Sequence, residues 1–271
     1  MWAASLWAFF SFVFFQIPAA IFTDMHDPNE PFENLRPLDL LAIAAHPDDV
    51  EQTCGGTIIH MVEMGYRAGV LDLTAGDMGS RGTPDLRIEE SKKAAEHLML
   101  AWRQNLRWPD ARLENTITAR MTLAGVIRRI RPRTVILPYW TGRHPDHYKA
   151  AEIGYESCFL AGLKRLEEDV PPHRPFKILY AAQYANVTPS FVVDISRQFE
   201  RRMASLFSYQ SQYGNTEAAS DLFPSHQEVE ERLAAVARFY GNLIGVKYGE
   251  AFVVKECQQV EDIVTMPVKS I

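Results

Sequence analysis

A chain of 271 residues, 47% hydrophobic and 23% charged, is ordinary globular material, long enough for one large α/β domain or two small ones. A formal charge of −6, with no Lys/Arg block, excludes the electrostatic footprint of a nucleic-acid binder. Three cysteines, Cys54, Cys158 and Cys257, lie far apart without a CxxC pair, which excludes a disulfide framework and fits a reducing, cytoplasmic compartment.

In chain order, residues 1–22, "MWAASLWAFFSFVFFQIPAAIF", come first; they carry no charge and, at about 20 apolar residues, are long enough to cross a bilayer. They lack the basic n-region of a secretory signal, and no Lys/Arg flank orients them. Three readings follow: an anchor through residues 2–22, an atypical signal, or a start codon placed too early, with Met25 as the first residue. The last is favoured because Met25 leads into a polar stretch, "HDPNEPFENLRP", and then into the core. Residues 1–37 are accordingly set apart from a single domain over 38–271, and a membrane partner is expected only if the apolar segment is retained.

Leu40 to Ala45 is continuously apolar and reads as a central parallel strand, feeding a helix from Val50. "RAGVLDLT", residues 67–74, reads as a second strand, followed by a glycine-rich loop, "AGDMGSRG". Thr83 then offers an N-cap and Pro84 a first helical position for the next helix. A short strand near Asn105 to Arg107, a helix around Thr118 to Arg129 and a strand over Arg133 to Trp140 come next. The tail adds the apolar stretches "FKILYAAQY" and "SFVVDI", a helix from Ser196, another from Gln227 to Tyr240, and a final strand, "AFVVK". This alternation predicts an α/β, Rossmann-like open sheet, mostly parallel, with helices on both faces.

In such a doubly wound sheet the first and fourth strands lie side by side at the switch point, where ligands bind. Those strands end in "AHPDD" and "GRHPDH", so two His/Asp clusters about a hundred residues apart are expected to face each other across one crevice. His46 and Asp49, spaced i, i+3, can both bind one cation, and His147 can supply a third ligand. Two imidazoles and a carboxylate are the composition of a catalytic zinc site, although Fe2+ or cobalt accepts the same ligands. The plainer reading is that Asp48 or Asp49 caps the first helix, which accounts for one acid but not for both. Cys54, close to the cluster, is read as a small buried residue rather than a ligand.

"AHPDD" at 45–49, "GSRGTPDLRIEE" at 79–90 and "RHPDH" at 143–147 resemble the LmbE-like (PIG-L) zinc-dependent N-acetylglucosamine deacetylases. "PSFVVDISRQFERRMASLFSYQSQY", Pro189 to Tyr213, is similar to the bacillithiol-biosynthesis branch, whose members deacetylate N-acetylglucosaminyl malate. By matching position, the resemblance implies that His46, Asp49 and His147 are zinc ligands, Asp48 the general base, and His144 the group that stabilises the oxyanion or protonates the leaving amine. It also implies a small-molecule N-acetylglucosaminide as substrate and a homo-oligomer, for which "FERRMASLFSYQSQY" is taken as the contact surface.

The residue chemistry supports those roles. Zinc polarises an amide carbonyl and acidifies water, an adjacent carboxylate can take that proton, and a histidine can donate toward the oxyanion. Arg87 and Arg143 are the candidates for gripping sugar hydroxyls or a carboxylate-bearing aglycone, since a guanidinium fork matches carboxylates. For Arg87 the plainer reading is an exposed helix residue paired with Glu90. The mycothiol-pathway relatives carry a tyrosine just upstream of HPDH; Tyr139 in "YWTGR" is too far back to be its equivalent, which argues against a mycothiol-type substrate. A dinucleotide-binding oxidoreductase would need GxGxxG where "AHPDDVE" stands. A metal-dependent sugar-binding module would need the ligands but not Asp48.

Overall fold

The computed structural model describes residues 36–166, 170–214 and 224–268. The expectations for the apolar segment and for Met25 therefore lie outside the described residues. Among those residues, no helix is long and apolar enough to cross a membrane.

The first core strand, β1 (Leu40–Ala44), is buried along its whole length because both of its faces are covered. Leu41 and Ile43 point into one apolar cluster and Leu40, Ala42 and Ala44 into another, as the two-residue period of a strand requires. The chain then runs through α1 (Asp49–Thr53), α2 (Gly55–Glu63), β2 (Ala68–Thr74), α3 (Pro84–Leu98), β3 (Trp102–Trp108), α4 (Ile117–Ile130) and β4 (Thr134–Pro138). It continues through α5 (Pro145–Ala161), β5 (Lys177–Ala181), β6 (Phe191–Asp194), α6 (Phe199–Leu206), α7 (Gln210–Tyr213), α8 (His226–Leu243) and β7 (Gly249–Val253). The seven strands are ordered β3-β2-β1-β4-β5-β7-β6, with β1 to β5 parallel and β7 antiparallel to both of its neighbours.

Helices α1 to α3 pack on one face through Val50, Ile58, Ile59 and Leu98, whereas α4 and α5 cover the other through Leu123, Ile127 and Ile153. The winding therefore reverses between β1 and β4, which pair directly from Leu40↔Thr134 to Ala42↔Ile136. That is the predicted switch point, and it brings "AHPDD" and "GRHPDH" to one edge. Thr83 caps α3 as expected, its hydroxyl accepting from Leu86 N at 3.2 Å.

One local expectation is corrected. The helix predicted from Val50 is broken at Cys54, whose backbone leaves the helical region at φ −146° and ψ 14°. A break orphans carbonyls on one side and N–H groups on the other. Arg202 takes the carbonyls, donating from Nε to Glu51 O at 2.9 Å and from Nη2 to Gln52 O. Glu250 takes the N–H groups of Gly56 and Thr57, at 2.9 and 2.7 Å. Gly56 is required there, because a Cβ would lie 2.9 Å from Ile195. Arg202 and Glu250 are both fully buried and 3.2 Å apart. Removing one partner leaves an uncompensated buried charge, so Arg202→Ala is expected to cost about 3–5 kcal/mol in denaturant unfolding.

Within the segment expected to form a contact between subunits, several apolar residues serve the fold of the single chain. Phe199, Met203, Leu206 and Tyr209 are buried inside the subunit. Phe199, Met203 and Leu206 pack with α8 residues such as Leu233 and are spent on the fold.

Candidate active site

The carboxyl end of β1 delivers His46 and then turns through Pro47 and Asp48 into α1. Asp48 occupies the N-cap position at φ 104°, in the left-handed region, yet its side chain makes no capping hydrogen bond. Such a backbone costs of order 1–3 kcal/mol in a non-glycine residue and persists only where the surroundings hold it. Here they do: Asp48 Oδ1 accepts from Arg87 Nη2 at 2.9 Å and Oδ2 from the Tyr213 hydroxyl at 2.7 Å. Burial pushes the Asp48 carboxyl up, and the Arg87 charge offsets only part of that. The helix-capping reading therefore fails for Asp48. Asp49 is turned back, with Oδ2 accepting from the His46 N–H at 2.9 Å.

Asp49 joins the two sequence clusters. Its Oδ2 lies 3.4 Å from His46 Nδ1, and its Oδ1 lies 3.0 Å from His147 Nε2. His144 completes the group: its ring centroid is 4.8 Å from that of His46 and 4.7 Å from that of His147. His144 Nδ1 also accepts from Asp146 N at 3.3 Å, capping α5. Burial and the two neighbouring imidazoles lower its pKa, so the ring is neutral and carries its proton on Nε2. That leaves a hydrogen-bond donor facing away from the helix.

Three carboxylates used by the site have no place in the sequence prediction. Asp110, just past the end of β3, lies 2.9 Å from His46 Nε2, and Asp146 lies 3.5 Å from the same atom. Asp77 accepts from Asp110 N at 3.0 Å, while Met78 N donates to Asp110 Oδ2 at 2.9 Å. The glycine loop thus orients the Asp110 carboxylate rather than contacting a phosphate. The available signal for Asp110 was positional, an acid just past the carboxyl end of a parallel strand, the side of the sheet where ligands bind. Asp146 stood inside "HPDH" but was passed over for its histidines. Tyr213 comes from α7, a single turn too short for periodicity to reveal.

Burial opposes a charge on His46, but Asp110 and Asp49 outweigh it and hold the ring's pKa up at about 10. Burial likewise opposes a charge on His147, and Asp49 reverses the balance and raises it. Asp49 is held well below the usual carboxylate range by His147 and His46, against its own burial. These shifts share one cause, a surplus of carboxylate around the imidazoles that a cation would neutralise. Two groups bring ligand atoms within 4.8 Å of one another: His46, His144 and His147, and His46, Asp110 and Asp146. In the second group, Asp110 and Asp146 oxygens already accept from Ala111 N at 2.8 and 2.7 Å. On the other side of the ring, His46 Nδ1 faces Asp49 Oδ2 and Asp49 Oδ1 faces His147 Nε2, a trio that is not itself one of these two groups. A ligand histidine whose second nitrogen is held by a carboxylate is the usual arrangement around a metal, and His46 between Asp110 and Asp49 fits it. Among the described residues, Cys54 joins neither group.

Arg87 is buried and reaches Asp48 and Pro47 O, the latter from Nε at 3.1 Å, rather than Glu90. Glu90 instead accepts from Ser211 N at 2.7 Å. Gly76, at φ 69°, clears the path, since a Cβ there would collide with Arg87 Nη1. Arg143, the residue before His144, is exposed.

Comparison with known proteins agrees with this geometry. The family model for GlcNAc-PI de-N-acetylase (PIG-L) matches residues 41–158. The diacetylchitobiose deacetylase of Thermococcus kodakarensis is 31% identical over 234 residues, covering 82% of this chain and 84% of that protein. The chain belongs to the PIG-L family of de-N-acetylases. Among solved structures, the conserved protein TT1542 from Thermus thermophilus superposes with a TM-score of 0.75 at 37% identity, over 83% of this chain and 98% of that one. The N,N'-diacetylchitobiose deacetylase from Pyrococcus horikoshii gives 0.70 at 25% identity, over 87% and 88%. In this PIG-L member Tyr213 is the tyrosine that hydrogen-bonds Asp48; Tyr139 packs at a tilt against Trp140, with ring centroids 4.2 Å apart.

Proposed function

We propose that this protein hydrolyses the acetamide of an N-acetylglucosaminide, consuming water and releasing acetate and a free amine. The observation that carries the reading is Asp48: buried, raised in pKa, excused from capping its helix, and fixed by Arg87 and Tyr213 beside His46, Asp49 and His147. His46, Asp49 and His147 would hold a divalent metal, with Zn2+ or Fe2+ both acceptable to that donor set. When bound, the metal supplies Lewis acidity toward the amide and its attacking water.

The chain's own residues do the rest. Asp48 takes the proton of the attacking water, and its raised pKa brings it nearer to working pH than an ordinary carboxylate. The neutral His144 donates a hydrogen bond from Nε2 toward the oxygen on which negative charge develops, and the proton that Asp48 has taken from water passes to the departing amine. Arg87 keeps Asp48 ionised and aimed, so it acts on the base rather than on the sugar. Arg143, exposed beside His144, is left as the guanidinium that meets an anionic aglycone.

The substrate we favour is N-acetylglucosaminyl malate, the bacillithiol precursor. Its support is the signature from Pro189 to Tyr213, whose last residue reaches Asp48, together with Arg143. A second reading, a diacetylchitobiose-type disaccharide, is favoured by the relative from Thermococcus kodakarensis. Amine release from the malate conjugate, from N,N'-diacetylchitobiose and from free N-acetylglucosamine separates them. Preference for the malate conjugate, lost in Arg143→Ala through KM, is the expected result. Preference for the disaccharide would replace that substrate, and saturable sugar binding without hydrolysis would replace the enzyme with a binding module.

A further inference from the structure

Between the carboxyl ends of β1, β4 and β5 and the helix α1 lies a cavity of about 50 Å3. Asp49 and His147 form part of its wall, Gln52 and Thr53 add polar groups from α1, and the rest is mostly apolar. The strands contribute Ala44, Ile136 and Ala181, and α1 contributes Val50. Tyr184 also lines it, and its hydroxyl donates to Gln52 Oε1 at 3.0 Å. The cavity exists because alanines end β1 and β5 where a parallel sheet would normally carry larger side chains. It is small: one water-sized group needs roughly 10–15 Å3 of such space, so a group of only a few heavy atoms fits. A pyranose ring does not.

A mostly apolar recess that has Asp49 and His147 in its wall, and is too small for the sugar, suits the other half of an amide. We propose that this cavity is the acyl pocket and restricts the enzyme to N-acetyl groups, with Ile136 and Ala181 setting the permitted chain length. The proposal rests on the deacetylase reading above. An acetyl group has three heavy atoms and fills the space; propionyl crowds it, and butyryl cannot enter without displacing Ile136 or Ala181. In a close-packed interior such displacement is resisted, because forced side chains leave their rotamer wells.

The test uses the metal-replete protein with N-acetyl, N-propionyl and N-butyryl forms of one glucosaminide, and, independently, calorimetric binding of acetate, propionate and butyrate. The expected wild-type result is at least about a hundredfold lower kcat/KM for butyryl than for acetyl, within the range by which a pocket rejects misfitting methylenes. Acetate should bind more tightly than butyrate by about tenfold or more. Ile136→Val should narrow both gaps, whereas Ala181→Val should weaken acetate binding without changing metal content. Equal turnover of all three acyl groups would overturn the pocket and leave the deacetylase standing. No hydrolysis of any glucosaminide, with the carboxylate series still graded by length and shifted by Ile136→Val, would overturn the substrate reading and leave the pocket standing. A flat carboxylate series in wild type and both variants would overturn the pocket on its own.

Discussion

His147→Ala is expected to lose both bound metal and amide hydrolysis while remaining folded. The side chain is 37% exposed, and its polar partner among the described residues is Asp49, so little packing depends on it. Its Nε2 is, however, the group that closes the site from the β4 side, 3.0 Å from Asp49 Oδ1. Reducing three protein ligands to two removes the geometry that a catalytic metal needs. Elemental analysis alongside a thermal melt checks this result. Full metal occupancy in the variant would move the ligand set to the His46, Asp110 and Asp146 side.

Asp48→Asn is expected to behave differently, keeping its metal but losing at least about a hundredfold in kcat, the contribution of a general base. Asparagine tolerates the left-handed backbone at φ 104° and preserves the shape that Tyr213 and Arg87 hold. What it cannot do is accept a proton at neutral pH. KM should change far less than kcat, because Asp48 faces Arg87 and Tyr213 in the resting site. Steady-state kinetics at matched metal content provide the measurement, and an unchanged kcat would remove Asp48 from the mechanism.

The split between these two variants follows from what the strand ends could and could not reveal in sequence. The pairing of β1 with β4 was legible because continuous apolar runs and right-handed crossovers leave few topologies. With that pairing, "AHPDD" and "HPDH" had to meet. The break at Cys54 was not legible, since it is held by Arg202 and Glu250 from far along the chain rather than by a local breaker such as proline. Asp48 was singled out in sequence as the base, with capping as the plainer reading, but the Arg87 and Tyr213 contacts that divert it from a cap were not legible. Arg87 itself was expected at the substrate or on the surface. Its burial depends on Gly76 leaving a gap, a contact between loop and helix that no periodicity encodes. Asp110 was missed for a related reason, since it is oriented by backbone N–H groups of Met78 and Ala111 rather than by a motif.

The central claim is that this crevice performs metal-dependent hydrolysis of an N-acetylglucosaminide. Its most direct test is amine release by one preparation measured three times: as purified, after chelator stripping verified by elemental analysis, and after reloading with Zn2+ or Fe2+. Amine release is expected as purified, with nearly all of it lost on stripping and recovered with about one metal per chain. Undiminished release by verified metal-free protein would contradict that claim.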